Sequence, residues 1–161
     1  MPYYITKTGL DAFDAARAWG LAVVLNMLTK DEVAIRNNEW AFVIEPAAPL
    51  PSSPAIASNP VWTFEQGWQQ VFITLRGGWS SARDKVQSVI ERQLTNLLGS
   101  LQNLNTVGFG TGESLPGGLD PTGFKGLRHT TRAQYKEGQL NVPEDHWALA
   151  CLGMATCGTY R

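Results

Sequence analysis

The densest run of chemistry-bearing side chains is Thr122-Gly123-Phe124-Lys125-Gly126-Leu127-Arg128-His129-Thr130-Thr131-Arg132-Ala133-Gln134-Tyr135-Lys136. It holds four bases and no acid in fifteen positions. On a helix, Lys125, Arg128, Arg132 and Lys136 follow steps of 3, 4 and 4 and share one stripe. Guanidinium forks and ammonium groups hold phosphates, the Thr130 and Thr131 hydroxyls can donate to them, and a protonated His129 would add to the set. Phe124 and Tyr135 are suited to stacking on an unpaired base. The expectation is contact with a nucleic-acid backbone; the plain alternative is a solvated basic face. Segregation of charge favours the first reading. Charged residues make up only 17% of the chain, residues 1–75 carry four bases and seven acids, and residues 76–161 carry nine bases and seven acids.

A glycine-rich loop, 105–126, leads into this run, with Gly108, Gly110, Gly112, Gly117, Gly118, Gly123 and Gly126 beside Pro116 and Pro121. Long irregular segments are uncommon inside compact domains and usually serve function, here by adapting the backbone to a bound strand. Gly108 to Ser114 is the nearest approach to a phosphate loop, but no lysine precedes the serine. An enzyme binding a phosphorylated ligand there, with Glu113 or His129 as acid-base residue, is therefore the weaker alternative. His129 and His146 are the only histidines, and neither has an acid-base partner at a recognisable spacing. Cys151 and Cys157 lie six apart with no histidine at ligand spacing, so they read as small buried side chains of one helix. Asp11 and Asp14 read as solvated acids of a first helical turn. No catalytic residue, metal or cofactor is expected.

The elements that must position these residues are mostly helical. Leu10 to Thr29 shows apolar spacings of three and four, with Thr8 and Asp11 as its expected cap. Gly20 in its middle predicts close approach of another element, since glycine costs a helix roughly 1 kcal/mol relative to alanine. Phe13 and Trp19 make the helix apolar on much of its circumference, so it should be packed on several sides. Glu32 to Glu45 alternates, with Asn37-Asn38 as the expected turn of a β-hairpin. A lone hairpin is marginal in water, so a further strand must pair with it. Five prolines fall within residues 46–60, which predicts a Pro-rich internal loop. Helices follow at Phe64 to Leu75, stopped by Gly77-Gly78, and from Ser81 to Leu104, with Ser81 and Asp84 as cap. A last helix opens at Pro143 with Glu144 and Asp145 in its first turn.

These elements define an α+β fold class, mostly helical with one hairpin, in one domain spanning 1–161 or in the N-terminal part of a longer protein. With 43% hydrophobic residues the chain can bury a real core and is not disordered. The longest apolar stretch, Leu21 to Leu28, is broken by Asn26 and far short of a membrane span. Asp11, Asp14 and Arg17 inside the first apolar segment argue against a signal peptide, so a cytoplasmic location is expected. Of the six tryptophans, most should be core, with Trp62 and Trp79 at element edges where a partner protein could cover them.

Thr8-Gly9-Leu10-Asp11-Ala12-Phe13-Asp14-Ala15-Ala16-Arg17-Ala18-Trp19-Gly20-Leu21-Ala22 and Leu115-Pro116-Gly117-Gly118-Leu119-Asp120-Pro121 resemble N-terminal parts of CRISPR-associated proteins. The nearest family is the large subunit of type I CRISPR surveillance complexes, which is ordinarily longer than this chain. The resemblance implies a non-enzymatic member of a ribonucleoprotein that contacts guide RNA or target DNA, sits among other protein subunits and helps recruit a separate effector. It brings no site residue with it. A protein-interaction module, docking through exposed aromatics and a hairpin edge, is the main alternative.

Overall fold

The computed structural model describes residues 1–56, 59–72, 78–103, 112–114 and 141–157. Its described elements run β1 (Tyr3–Thr6), α1 (Asp11–Thr29), β2 (Val33–Asn37), β3 (Ala41–Pro46), a 3-10 turn (Pro60–Thr63), α2 (Glu65–Val71), α3 (Trp79–Gln102), β4 (Glu113–Ser114), β5 (Asn141–Val142) and α4 (Glu144–Cys157). The fold is α+β and mostly helical. The strand that the hairpin required is β1, whose run Tyr3-Tyr4-Ile5-Thr6 is built of aromatic and β-branched residues that favour a pleated surface. It pairs antiparallel with β3, giving the order β1-β3-β2.

The hairpin turns two residues later than the Asn37-Asn38 expectation. Asn37 is still in register opposite Phe42, and the Asn38 N–H donates to the Ala41 carbonyl at 2.9 Å, so Glu39 and Trp40 form the turn. Residues opposite each other across such a ladder share a face. Tyr3, Ile44 and Ile35 therefore form one row and Tyr4, Val43 and Arg36 the other. Tyr3, Ile5 and Ile44 enter the core together with the buried side of α1.

Helix α1 fulfils the apolar pattern but not the expected cap. The Thr8 hydroxyl bonds Asp14 at 2.9 Å rather than serving Asp11, and the Leu10 N–H reaches that hydroxyl at 3.3 Å. At the other end Lys30 takes a left-handed conformation, φ 59°, and its N–H returns to the Asn26 carbonyl. Helix α4 is buried around most of its surface, packing against α1, α2 and α3. Its closest neighbour is α1. A Cβ on Gly20 would overlap the Leu149 carbonyl oxygen, and one on Gly153 would overlap the Ala16 carbonyl oxygen. The two glycines let the backbones meet, as Gly20 predicts.

Helix α3 begins at Trp79, two residues before the expected Ser81, directly after Gly78 and with no side-chain cap. Asp84 instead pairs with Arg83. Its predicted stripe of Val86, Val89, Ile90, Leu94, Leu97, Leu98 and Leu101 is buried; Leu104 lies outside the described residues. Helix α2 buries Trp68 and Val71, with Phe72 at its end, while Leu75 lies outside the described residues. Trp62, Trp68, Phe72 and Trp147 form a chain of ring contacts with centroid separations from 5.9 to 6.3 Å. Trp62 is thus core and not a docking edge, and Trp79 is half-buried, with Arg83 over its ring. The exposed tryptophans among the described residues are Trp19 and Trp40, at 50% and 51%.

Candidate functional site

The basic run predicted to hold phosphates, Phe124, Lys125, Arg128, His129, Thr130, Thr131, Arg132, Tyr135 and Lys136, lies outside the described residues. So do Gly108, Gly110, Gly117, Gly118, Gly123 and Gly126. What the structure describes is the base from which this segment leaves and to which it returns. Ser114 is paired with Asn141 and Glu113 with Val142, so residues 115–140 start and finish side by side in a two-stranded antiparallel ladder. Gly112 belongs to this neck. A Cβ there would overlap the Val142 carbonyl oxygen, so the glycine is explained by close strand approach.

Strand β4 of the neck and the first residue of α4, two past β5, are each tied to α3. Lys85 Nζ pairs with Glu113, and Arg92 Nη2 donates to Glu144 at 2.6 Å, joined by Gln93 Nε2 at 2.9 Å. Lys85 and Arg92 are seven residues apart and share one side of α3. Lys85 also lies 5.3 Å from the centre of the Trp147 ring. Glu113, offered by the sequence as an acid-base residue, is occupied by that lysine.

A second constellation was not legible as a site. Asp14, Arg17 and His146 are the buried polar side chains among the described residues. Asp14 is not a solvated first-turn acid. Its carboxylate accepts from the Thr8 N–H at 2.8 Å, the Thr8 hydroxyl at 2.9 Å and Arg17 Nη2 at 2.6 Å. The guanidinium also donates to the Thr6 carbonyl at 2.6 Å, meets His146 Nδ1 at 3.1 Å and lies 4.6 Å from the Phe13 ring centre. Among the described residues, Arg17 Nε has no hydrogen-bond partner. Burial lowers the Arg17 pKa, and Asp14 opposes that shift. Burial first, and the neighbouring Arg17 cation second, depress His146 to about 4, so its imidazole is neutral near pH 7. A neutral ring accepting on Nδ1 from Arg17 carries its own proton on Nε2.

The cluster ties the approach to α1, the helix itself and α4 into one ion-paired knot. Its carboxylate is saturated and its arginine is enclosed, so its chemistry is positional. The sequence signal for it was an Asp and an Arg three apart inside a helix apolar on most sides, where a charge must be paired to be tolerated.

No group of metal-ligating side chains occurs among the described residues. Cys151 is buried, and its thiol is pushed well above the usual range by burial, with Glu113 adding to the shift. Cys157 is exposed, contrary to the expectation of two buried cysteines, because it falls at the last turn of α4. Among the described residues no helix is long and apolar enough to cross a membrane.

The fold and its surfaces together define a helical α+β domain with a locked interior, a basic insertion on a two-stranded neck and two solvent-facing tryptophans. No family model matches the chain. It is similar to an uncharacterized protein of Archaeoglobus fulgidus, with 28% identity over 162 residues, covering 94% of this chain and 45% of that protein. The chain thus spans less than half the length of this curated relative. No solved structure matches.

Proposed function

We propose that this chain is a non-catalytic nucleic-acid-binding subunit of an RNA-guided CRISPR effector complex, acting in the cytoplasm and touching the backbone of guide RNA or target DNA. The observation that carries the reading is the acid-free run Lys125, Arg128, Arg132 and Lys136, within an insertion whose two ends meet at the β4–β5 neck. A segment whose two ends meet at one place on the fold is suited to laying cations along a strand, and phosphate contacts of this kind position without reading sequence. The association with guide complexes rests on the resemblance at Thr8 to Ala22 and Leu115 to Pro121. Purification without nuclease treatment tests it. A uniform short RNA and partner subunits copurifying with the chain are expected; a nucleic-acid-free absorbance spectrum and no partner would contradict it.

A second reading has its own observation. Ala12, Ala15, Trp19 and Val23 follow one side of α1 left exposed or half-buried, while Asp14 and Arg17 turn inward. An uncharged stripe centred on a half-exposed tryptophan fits a protein-docking face. Association through it would be insensitive to salt and lost in Trp19→Ala.

A further inference from the structure

Two of the four bases in the first 75 residues, Lys7 and Arg36, stand at the turn end of the three-stranded sheet, Arg36 in the Tyr4 row and Lys7 over Phe42 on the other face. Trp40 forms the hairpin tip and is 51% exposed. Its ring stacks on Tyr4 with centroids 5.8 Å apart and planes 21° apart, so one indole face is covered and the other is left to solvent. The tip is held in place. The Lys7 N–H donates to the Trp40 carbonyl and the Asn38 N–H to the Ala41 carbonyl, each at 2.9 Å. Arg36 is in the same cross-strand row as Tyr4, with Val43 between them. Its guanidinium meets Glu45 at 2.9 Å, with the two side chains 70% and 37% exposed. Such an exposed pair contributes little, so the guanidinium can exchange carboxylate for phosphate. Lys7 reaches over Phe42 with its ammonium 5.4 Å from the ring centre. Glu39, in the turn, and Glu45, across from Arg36, are the acids at this end of the sheet.

We propose that Trp40, backed by Tyr4, is a stacking platform for one base of a single-stranded nucleic acid, with Arg36 holding an adjoining phosphate. The proposal rests on the nucleic-acid reading above and adds a second contact, on the opposite half of the sequence from the basic run. The rim favours this occupant over a protein. Arg36 and Asn38 stand on the Tyr4 side of the sheet, a cation and an amide of the kind that accompany stacked bases, where a protein-binding centre would carry an apolar border. Ring stacking is indifferent to base identity, so the platform fits any unpaired strand. A tip fixed by two backbone hydrogen bonds also loses little freedom on binding.

The test is fluorescence anisotropy of labelled oligo-dT, oligo-U and a blunt duplex titrated with the full chain and with Trp40→Ala, Trp40→Phe and Trp19→Ala. Trp40→Ala should weaken both single strands about tenfold, within the range expected for one stacked base. Trp40→Phe should restore most of that loss, and Trp19→Ala should leave affinity unchanged. The salt dependence should stay that of the wild type, because no charge is removed. The ratio of the oligo-dT and oligo-U affinities distinguishes DNA from RNA as the source of the strand. Wild-type affinity in Trp40→Ala would overturn the platform, as would an equal loss on duplex. Unchanged oligonucleotide binding with loss of self-association in light scattering would make Trp40 a protein contact instead. Binding lost on replacing the four bases of 125–136 but kept in Trp40→Ala removes the platform alone. Absence of oligonucleotide binding by the wild type removes both readings.

Discussion

Arg17 is the residue on which the interior turns. Enclosing two charges costs several kcal/mol per ion unless each is paired and hydrogen-bonded, and breaking such a pair leaves the survivor stranded. Arg17→Met should therefore destabilise the protein by about 3–5 kcal/mol in urea unfolding. Adding Asp14→Leu should recover part of that loss, so the double variant will be more stable than the sum of the singles predicts. His146 gives the cluster a pH signature. Its folded pKa is about 4 against 6.5 for the free side chain, with Arg17 and Asp145 as the neighbouring charges. As pH falls through 6.5 the unfolded chain takes up a proton that the folded chain refuses. Stability contributed by the neutral ring is thus present above that value, declines towards pH 4 and falls no further below it. The decline should be of the order of 3 kcal/mol. In His146→Gln, whose amide oxygen can still accept from Arg17, unfolding measured between pH 7 and pH 4 should lose this component of its slope.

At the level of elements, the α1–α4 contact is the joint that the two glycines permit. Gly20→Ala and Gly153→Ala would each push a methyl into a backbone carbonyl, which a rotamer change cannot relieve. Each should cost about 1–3 kcal/mol by thermal or chemical unfolding, whereas Gly99→Ala, with open space around it, should be neutral or stabilising. Gly20 shows what was legible in the sequence: a helix-weakening residue in a strongly periodic helix announces a close neighbour, though not which one. The α3 stripe and the hairpin were legible for the same reason, since apolar periodicity records burial directly. Strand β1 was not, because four residues are too few to show a period and its pairing with β3 crosses the whole of α1. The Thr8–Asp14 bond was missed because local capping rules look three residues ahead, and here Arg17 draws the carboxylate of Asp14 inward. Trp19 and Trp40 carry no local mark of exposure, as an indole on an apolar helix or at a strand end looks the same buried or bare.

At the scale of the whole molecule, a mostly helical α+β body carries four of the chain's thirteen bases on the segment between β4 and β5. The candidate phosphate-binding residues were read from type and spacing, and the structure contributes the base of their segment: a two-stranded neck, tied to α3 by Lys85–Glu113 and followed by α4, whose first residue is tied to α3 by Arg92–Glu144. These pairs are partly exposed and individually weak. Glu113→Lys should therefore alter oligonucleotide affinity by less than the loss of any two of the four bases, and leave the unfolding midpoint nearly unchanged. The most direct measurement of the central claim is the salt dependence of single-strand binding. Affinity of the full chain for oligo-U, followed by anisotropy across a range of potassium chloride, should fall steeply. In Lys125→Ala/Arg128→Ala/Arg132→Ala/Lys136→Ala the line should flatten, each lost phosphate contact reducing the logarithmic slope by about 0.7 on single strands. A folded quadruple variant with the wild-type slope would show that the basic run does not hold phosphates.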